Sequence, residues 1–354
     1  MNMNTVKITL LSLLSAAALC ACSDDEAPTV PFTINEASLD FSARAAKGYV
    51  LVSDASCQAT LTADWCRLER KADSILVYAS TNLKPWGRTA KLTLTSGQTV
   101  KELAVTQLGC YFEIEADPVV HHLNDSTSTL SFVVSHTMDY TVSMQGQGMT
   151  HTIQGNTLTL NLEPNRTGQP HTARVSLYCP EMDATRAFTV AQYTIDDLMG
   201  SWTASYTNLR GEAATRPVQL SKDNAGKMTL TGLVEGLTLP ISADDKGHIV
   251  LETGSATGVY TAGTRQFNTY VYGVDGNHVV YTKEKDSRKL LYKGTFTPGD
   301  ADDTSIVYAA DSTFAENQHM QGIAISAYEV KSDGTVATSA RTIEEFYGFC
   351  LKRP

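Results

Sequence analysis

Long hydrophobic runs, helical periodicity and clustered basic charge are what this 354-residue chain lacks. Past residue 26, no apolar stretch reaches the roughly 20 residues that span a bilayer as a helix. No run of ten or more residues carries a convincing helical spacing of apolar positions, so the chain reads as all-β. Lys and Arg number 28 against 38 Asp and Glu, a net charge of −10 with no Lys/Arg run, which excludes a nucleic-acid partner. There is no Gly-x-Ser-x-Gly, no His-Glu-x-x-His and no phosphate loop. A glycosidase carboxylate pair needs no closeness in sequence and leaves no local signature. The expectation is a non-catalytic protein with no cofactor.

What is present begins at the N-terminus. Lys7 precedes an apolar run over residues 8–19, then Leu19-Cys20-Ala21-Cys22, then Ser23-Asp24-Asp25-Glu26. A charged start, a short apolar run and a small residue before a cleavage point read as an export signal. A plain secretory signal cut after Ala18 or Ala21 is the alternative. Leu-x-Ala-Cys resembles the bacterial lipobox, and the acids after Cys22 resemble the surface-export signal of Bacteroidetes lipoproteins. That resemblance implies a signal peptide over residues 1–21, lipidation of Cys22 and a protein held at the outer-membrane surface through its lipid anchor. Each buried acyl CH₂ contributes about 0.8 kcal/mol, so several chains hold firmly. Residues 22–31, acidic and proline-containing, read as a solvated linker.

Five cysteines remain beyond that point: Cys57, Cys66, Cys110, Cys179 and Cys350. Their odd number leaves at least one thiol unpaired in a monomer. Cys57 with Cys66, and Cys110 with Cys179, are the pairings that stay within one predicted unit. Buried free thiols are the equal alternative. The spacings do not resemble a zinc site.

A repeat organises the first half. Residues 82–94 and 165–177 align from Asn82 to Ala90 and from Asn165 to Ala173, and each is followed by a closing strand, at 103–107 and 188–192. Ala90, Leu92 and Leu94, like Ala173, Val175 and Leu177, alternate with polar residues, which puts one face in a core. A repeat of about eighty residues in short strands predicts one immunoglobulin-like β-sandwich used twice, over residues 32–109 and 110–195. The Asn loop, the Arg88-x-Ala90-x-Leu92-x-Leu94 strand and the ending Val105-Thr106-Gln107-Leu108-Gly109 resemble the BACON domain, the Bacteroidetes-associated carbohydrate-binding often N-terminal module. Asp64-Trp65-Cys66 sits where that family has its strand tryptophan. The second unit departs from the pattern. Ala191 replaces the Thr, Tyr193 and Thr194 replace the ending, and there is no Trp. The resemblance implies extracellular sandwiches beside glycan-handling domains, either binding sugar or acting as spacers.

From residue 196 the pattern becomes a meander. Residues 227–233, 267–272, 278–283 and 290–297 read as strands between Asp-, Asn- and Gly-rich turns. Such meanders commonly close into a barrel. Gly200-x-Trp202 resembles the start of lipocalin-like barrels, which implies a structural, end-plugging Trp202 in a domain over residues 196–354.

Few side chains stand out for chemistry. Trp86, between Pro85 and Gly87, is the leading sugar-stacking candidate, against a ring folded over the sandwich end. Trp65 reads as a core residue within a strand. Tyr270 and Tyr272 share a strand face and would line a ligand cavity if that face is interior, or be half-buried strand tyrosines if it is not. Of eight histidines, His121, His122, His136, His151 and His171 lie in the second unit, too scattered to read as a metal site. Asp300, Asp302 and Asp303 lack EF-hand spacing and read as a solvated turn. Three functions compete: binding of dietary polysaccharide or mucin glycan, carriage of a small apolar ligand in the barrel, or adhesion to other outer-membrane proteins.

Overall fold

The computed structural model describes residues 32–281, 289–299, 304–310, 313–315 and 318–354. Cys22, the signal segment, the whole acidic linker and the acids Asp300, Asp302 and Asp303 lie outside the described residues. The described chain is all-β, with two short 3₁₀ turns at Pro180–Met182 and Ile195–Leu198. It divides into two compact units. One holds the described residues up to Thr81 together with Gly87–Leu108, and the other holds Asn82–Trp86 and the described residues of Gly109–Pro354.

The first unit is a β-sandwich of two four-stranded sheets. One sheet is ordered Ile34–Ser38, Ala46–Val52, Ser74–Ala79, Cys66–Lys71, and the other Asp40–Phe41, Thr99–Gln107, Arg88–Ser96, Gln58–Leu61. The alternation fixes which face turns inward. Ala90, Leu92 and Leu94 are at most 4% exposed and join Val50, Val77 and Val105 in one core. The entering chain changes sheets. Ile34–Ser38 pairs antiparallel with Ala46–Val52, and Asp40–Phe41 then runs parallel to the end of the closing strand.

The second unit opens with a sandwich of the same design. Phe112–Ile114 pairs antiparallel with Ser128–His136, and Val119–His122 then runs parallel to the closing strand Ala184–Gln192. The closing hairpins differ by two residues. Ser96 and Thr99 flank the first turn, whereas Cys179 and Ala184 flank the second, with Pro180–Met182 and left-handed Asp183 taking up the extra length. Burial again follows the alternation, with Ala173, Val175 and Leu177 inside.

After Ile195–Leu198 the chain forms one large sheet. Pairing passes from Gly200–Thr207 through Ala213–Lys222, Met228–Thr231, Thr238–Ala243, Ile249–Glu252, Leu291–Thr297 and Ser305–Ala310 to Val336–Lys352. The end of that last strand pairs back onto Gly200–Thr207, Ala204 opposite Leu351. Trp202, Leu220, Leu251, Tyr292, Phe296 and Phe349 belong to one buried apolar cluster. Trp202 is 1% exposed, donates through Nε1 to the Leu198 carbonyl at 3.0 Å and lies under the Arg353 guanidinium at 4.2 Å. Residues 336–347 of the long strand Val336–Lys352 pair with Gly322–Val330, from which the sheet continues to Arg265–Val274 and Ala256–Ala262.

Two strand expectations are shortened. Residues 227–233 yield Met228–Thr231, because Gly232 turns to φ 89°, where a Cβ would lie 2.6 Å from the Pro217 carbonyl oxygen. Residues 278–283 yield Val280–Tyr281, because the Asp275 carboxylate holds residues 275–279 in a turn, while residues 282 and 283 lie outside the described residues.

Candidate functional site

Trp86 rides on a stapled loop. The Asn82 side chain is buried; its Nδ2 donates to the Trp86 carbonyl at 3.0 Å and its Oδ1 accepts from the Lys84 amide at 3.2 Å. The Cys110 amide bonds the Lys84 carbonyl at 2.7 Å, and a Cβ on Gly109 would fall 2.4 Å from the Pro85 carbonyl oxygen. The backbone is therefore tied down while Trp86 as a whole is 66% exposed. In the second sandwich Asn165 does the same: Nδ2 donates to the Gln169 carbonyl at 2.7 Å, and Oδ1 accepts from the Thr167 amide at 3.0 Å. Gln169 occupies the place of Trp86, so the loop closes without an aromatic ring there.

The remaining motif residues are structural. Gln107 Nε2 donates to the Ser80 carbonyl at 3.0 Å, and Gln192 Nε2 donates to the matching Glu163 carbonyl at 3.1 Å. Trp65 packs against the core of the first sandwich, as expected, but not from within a strand. It stands in the turn before Cys66–Lys71 and is only partly buried. The Arg88 guanidinium stacks over its ring at 4.4 Å while Nε donates to Gln107 Oε1 at 2.9 Å. A stacked cation covers what the core does not. In the second sandwich Gly148 and His171 occupy these two places, with a Cβ on Gly148 lying 2.9 Å from His171 Nδ1. Both partners of the Trp–Arg pair are thus replaced together.

Tyr270 and Tyr272 lie on the half-buried face of Arg265–Val274, opposite the face of Phe267, Thr269 and Val271. The cavity-lining alternative does not apply, because Val271, not the tyrosines, faces the apolar cluster. Tyr328 joins them across the sheet. Its hydroxyl is 2.5 Å from that of Tyr272, and its ring stands edge-on to Tyr270 at 6.0 Å. Burial and the shared hydrogen bond raise the Tyr272 pKa.

A cluster beyond the reach of sequence reasoning lies nearby. Glu345 is 1% exposed. Its carboxylate meets His278 Nδ1 at 2.5 Å and accepts from the Tyr347 hydroxyl at 2.8 Å. His278 has φ 62°. It ends an Asx turn of a kind used four times among the described residues, in which Asn208, Asp223, Asp244 and Asp275 accept amides two and four residues ahead. The other three turns put Gly211, Gly226 and Gly247 at the left-handed position. The only local signal was the missing glycine in Asp275-Gly276-Asn277-His278.

The cysteines and histidines are dispersed. All five described cysteines are free thiols, so neither candidate disulfide is formed. Burial pushes the Cys66 thiol up to about 11, which keeps it protonated and inert. His121 and His122 diverge as neighbours on a strand must. His121 Nδ1 meets the Tyr193 hydroxyl at 3.2 Å, and His122 Nε2 meets Ser128 Oγ at 2.7 Å. His136 Nδ1 bonds the Met138 carbonyl at 2.8 Å.

No family model matches the chain, and no curated relative matches it. Among solved structures, the I9–I11 tandem from titin is 10% identical with TM-score 0.33, covering 88% of this chain and 97% of that chain. A titin I-band fragment, I67–I69, is 7% identical with TM-score 0.30, covering 89% and 98%. An endo-fucoidan hydrolase of glycoside hydrolase family 107 is 10% identical with TM-score 0.24, covering 48% and 29%. Likeness at these scores carries no argument about function, and the sandwich architecture rests on the chain's own sheets.

Proposed function

We propose that this chain is a non-catalytic, lipid-anchored protein of the outer-membrane surface that holds glycan through Trp86. The observation that supports this reading is a 66% exposed Trp86 on a backbone pinned by Asn82, at a place the sister loop fills with Gln169. The ring is not needed to close the loop, and it is offered to solvent at little entropic cost because the loop is already ordered. Covering about 100 Å² of it with the apolar face of a sugar is worth roughly 2.5 kcal/mol. The Cys22 lipobox and the BACON-like motifs agree with a surface role. The carrier reading has less support, because Trp202, Tyr292 and Phe296 occupy the apolar cluster such a ligand would need.

Retention of the purified chain on a panel of plant and mucin polysaccharides tests the proposal. Trp86→Ala is expected to weaken retention at least about tenfold with an unchanged unfolding midpoint. Equal retention of the variant and the parent overturns the role of Trp86.

A further inference from the structure

The second sandwich has no aromatic at the Trp86 position, yet its outer face carries a polar cleft. Three strands contribute to one row across the sheet: Gln145 lies opposite Arg174, and Arg174 lies opposite Thr189. Directly paired residues project to the same side. Thr172, two residues from Arg174, projects there as well, since Ala173 and Val175 turn into the core. Pro298 and Gly299 wall the end of the row and complete a cleft of about 320 Å³. None of these four polar side chains has a hydrogen-bond or ion-pair partner among the described residues. Among the described residues Arg174 is thus a cation without an ion-pair partner, set between an amide and two hydroxyls in a chain of net charge −10.

We infer that this cleft is a second, independent subsite that takes an acidic sugar residue. Arg174 would hold the carboxylate or sulfate, and Gln145, Thr172 and Thr189 the ring hydroxyls. The chemistry of each side chain selects the class. A guanidinium fork matches an oxyanion bidentately, while an amide and a hydroxyl each donate and accept, as sugar hydroxyls require. The net negative charge of the chain does not oppose this at close range. The Debye length is about 8 Å at physiological salt, so Arg174 governs the cleft. The inference extends the proposed glycan role but uses none of the residues that carry it.

Affinity electrophoresis of the full chain through gels containing polygalacturonate, dextran sulfate or neutral dextran tests it. The acidic polymers should retard the parent chain, and Arg174→Ala should weaken that retardation at least about tenfold. Arg174→Lys keeps the charge but loses the fork and should recover only part of it. Retardation by polygalacturonate alone assigns a carboxylate, and by dextran sulfate alone a sulfate. Equal retardation of Arg174→Ala and the parent overturns the cleft, as does no retardation by either acidic polymer. The Trp86 reading is judged separately on neutral polysaccharides with Trp86→Ala, so either reading can fall while the other stands.

Discussion

His278 shows at the scale of a single residue how a local rule is broken and compensated. A non-glycine residue in the left-handed region costs on the order of 1 kcal/mol or more. Three sister turns avoid that cost with Gly211, Gly226 and Gly247, whereas His278 accepts it and lies 2.5 Å from the buried Glu345 carboxylate. His278→Ala keeps the strain and loses the bond; His278→Gly loses the bond but relieves the strain. Both variants should be less stable than the parent, and His278→Gly should exceed His278→Ala by about 1 kcal/mol in urea unfolding. Equal midpoints for the two variants would mean that the turn stores no strain. The missing glycine was visible in the sequence. The reason for it was not, because Glu345 is 67 residues away.

Loops and hairpins set the next scale. The Asn staple, the Gln on the closing strand and the alternating core face recur in both sandwiches with the same hydrogen bonds. Local spacing dictates these features, so the repeat was legible from residues 82–94 and 165–177 alone. Asn82→Ala removes a buried amide that satisfies one loop carbonyl and one loop amide, and should cost about 1–3 kcal/mol. Asn82→Asp keeps the acceptor and loses the donor, so its loss should be intermediate. Denaturant titration followed by Trp fluorescence reads both stability and the surroundings of Trp86. The Trp65–Arg88 stack was harder to see. Trp65 reads as a strand residue by neighbourhood, but the strand begins at Cys66 and the ring finds its cover in a cation 23 residues on.

Across the whole second unit, the sandwich strand Val119–His122 approaches the Asp244–His248 turn of the large sheet. A Cβ on Gly247 would meet Leu123 at 2.5 Å. His121 bonds Tyr193, whose hydroxyl is pushed up to about 12 by burial and the nearby Asp244 carboxylate. Burial raises the Asp244 pKa, but hydrogen bonds from His248 and Lys293 outweigh it and hold the carboxyl near 2. His121 is lowered by burial and then by His248, with Asp117 opposing. A histidine lowered on folding takes up protons more readily when unfolded. Its contribution is therefore intact above the ordinary value of about 6.5 and is lost as pH falls through it. Unfolding midpoints of the parent should fall between about pH 7 and pH 5. His121→Gln should flatten that slope, leaving the contribution of His122, which burial also lowers. An identical slope in the variant would remove His121 as its source.

The sequence by itself determined what local periodicity can carry: all-β elements, a sandwich used twice, the inward faces of Ala90, Leu92, Val175 and Leu177, the Asp-, Asn- and Gly-rich turns of the meander, and the marking of Trp86 as an unusual loop residue. Alternation and turn chemistry act over a few residues, so they are written where they act. Tertiary structure alone decided which tyrosine face looks outward, that the five thiols stay unpaired, and that the end of Val336–Lys352 returns to Gly200–Thr207. It alone brought Gln145, Arg174 and Thr189 into one row and His278 onto Glu345. Those meetings depend on strand register and on pairing between distant segments, and a single strand's spacing carries no information about which partner will lie beside it.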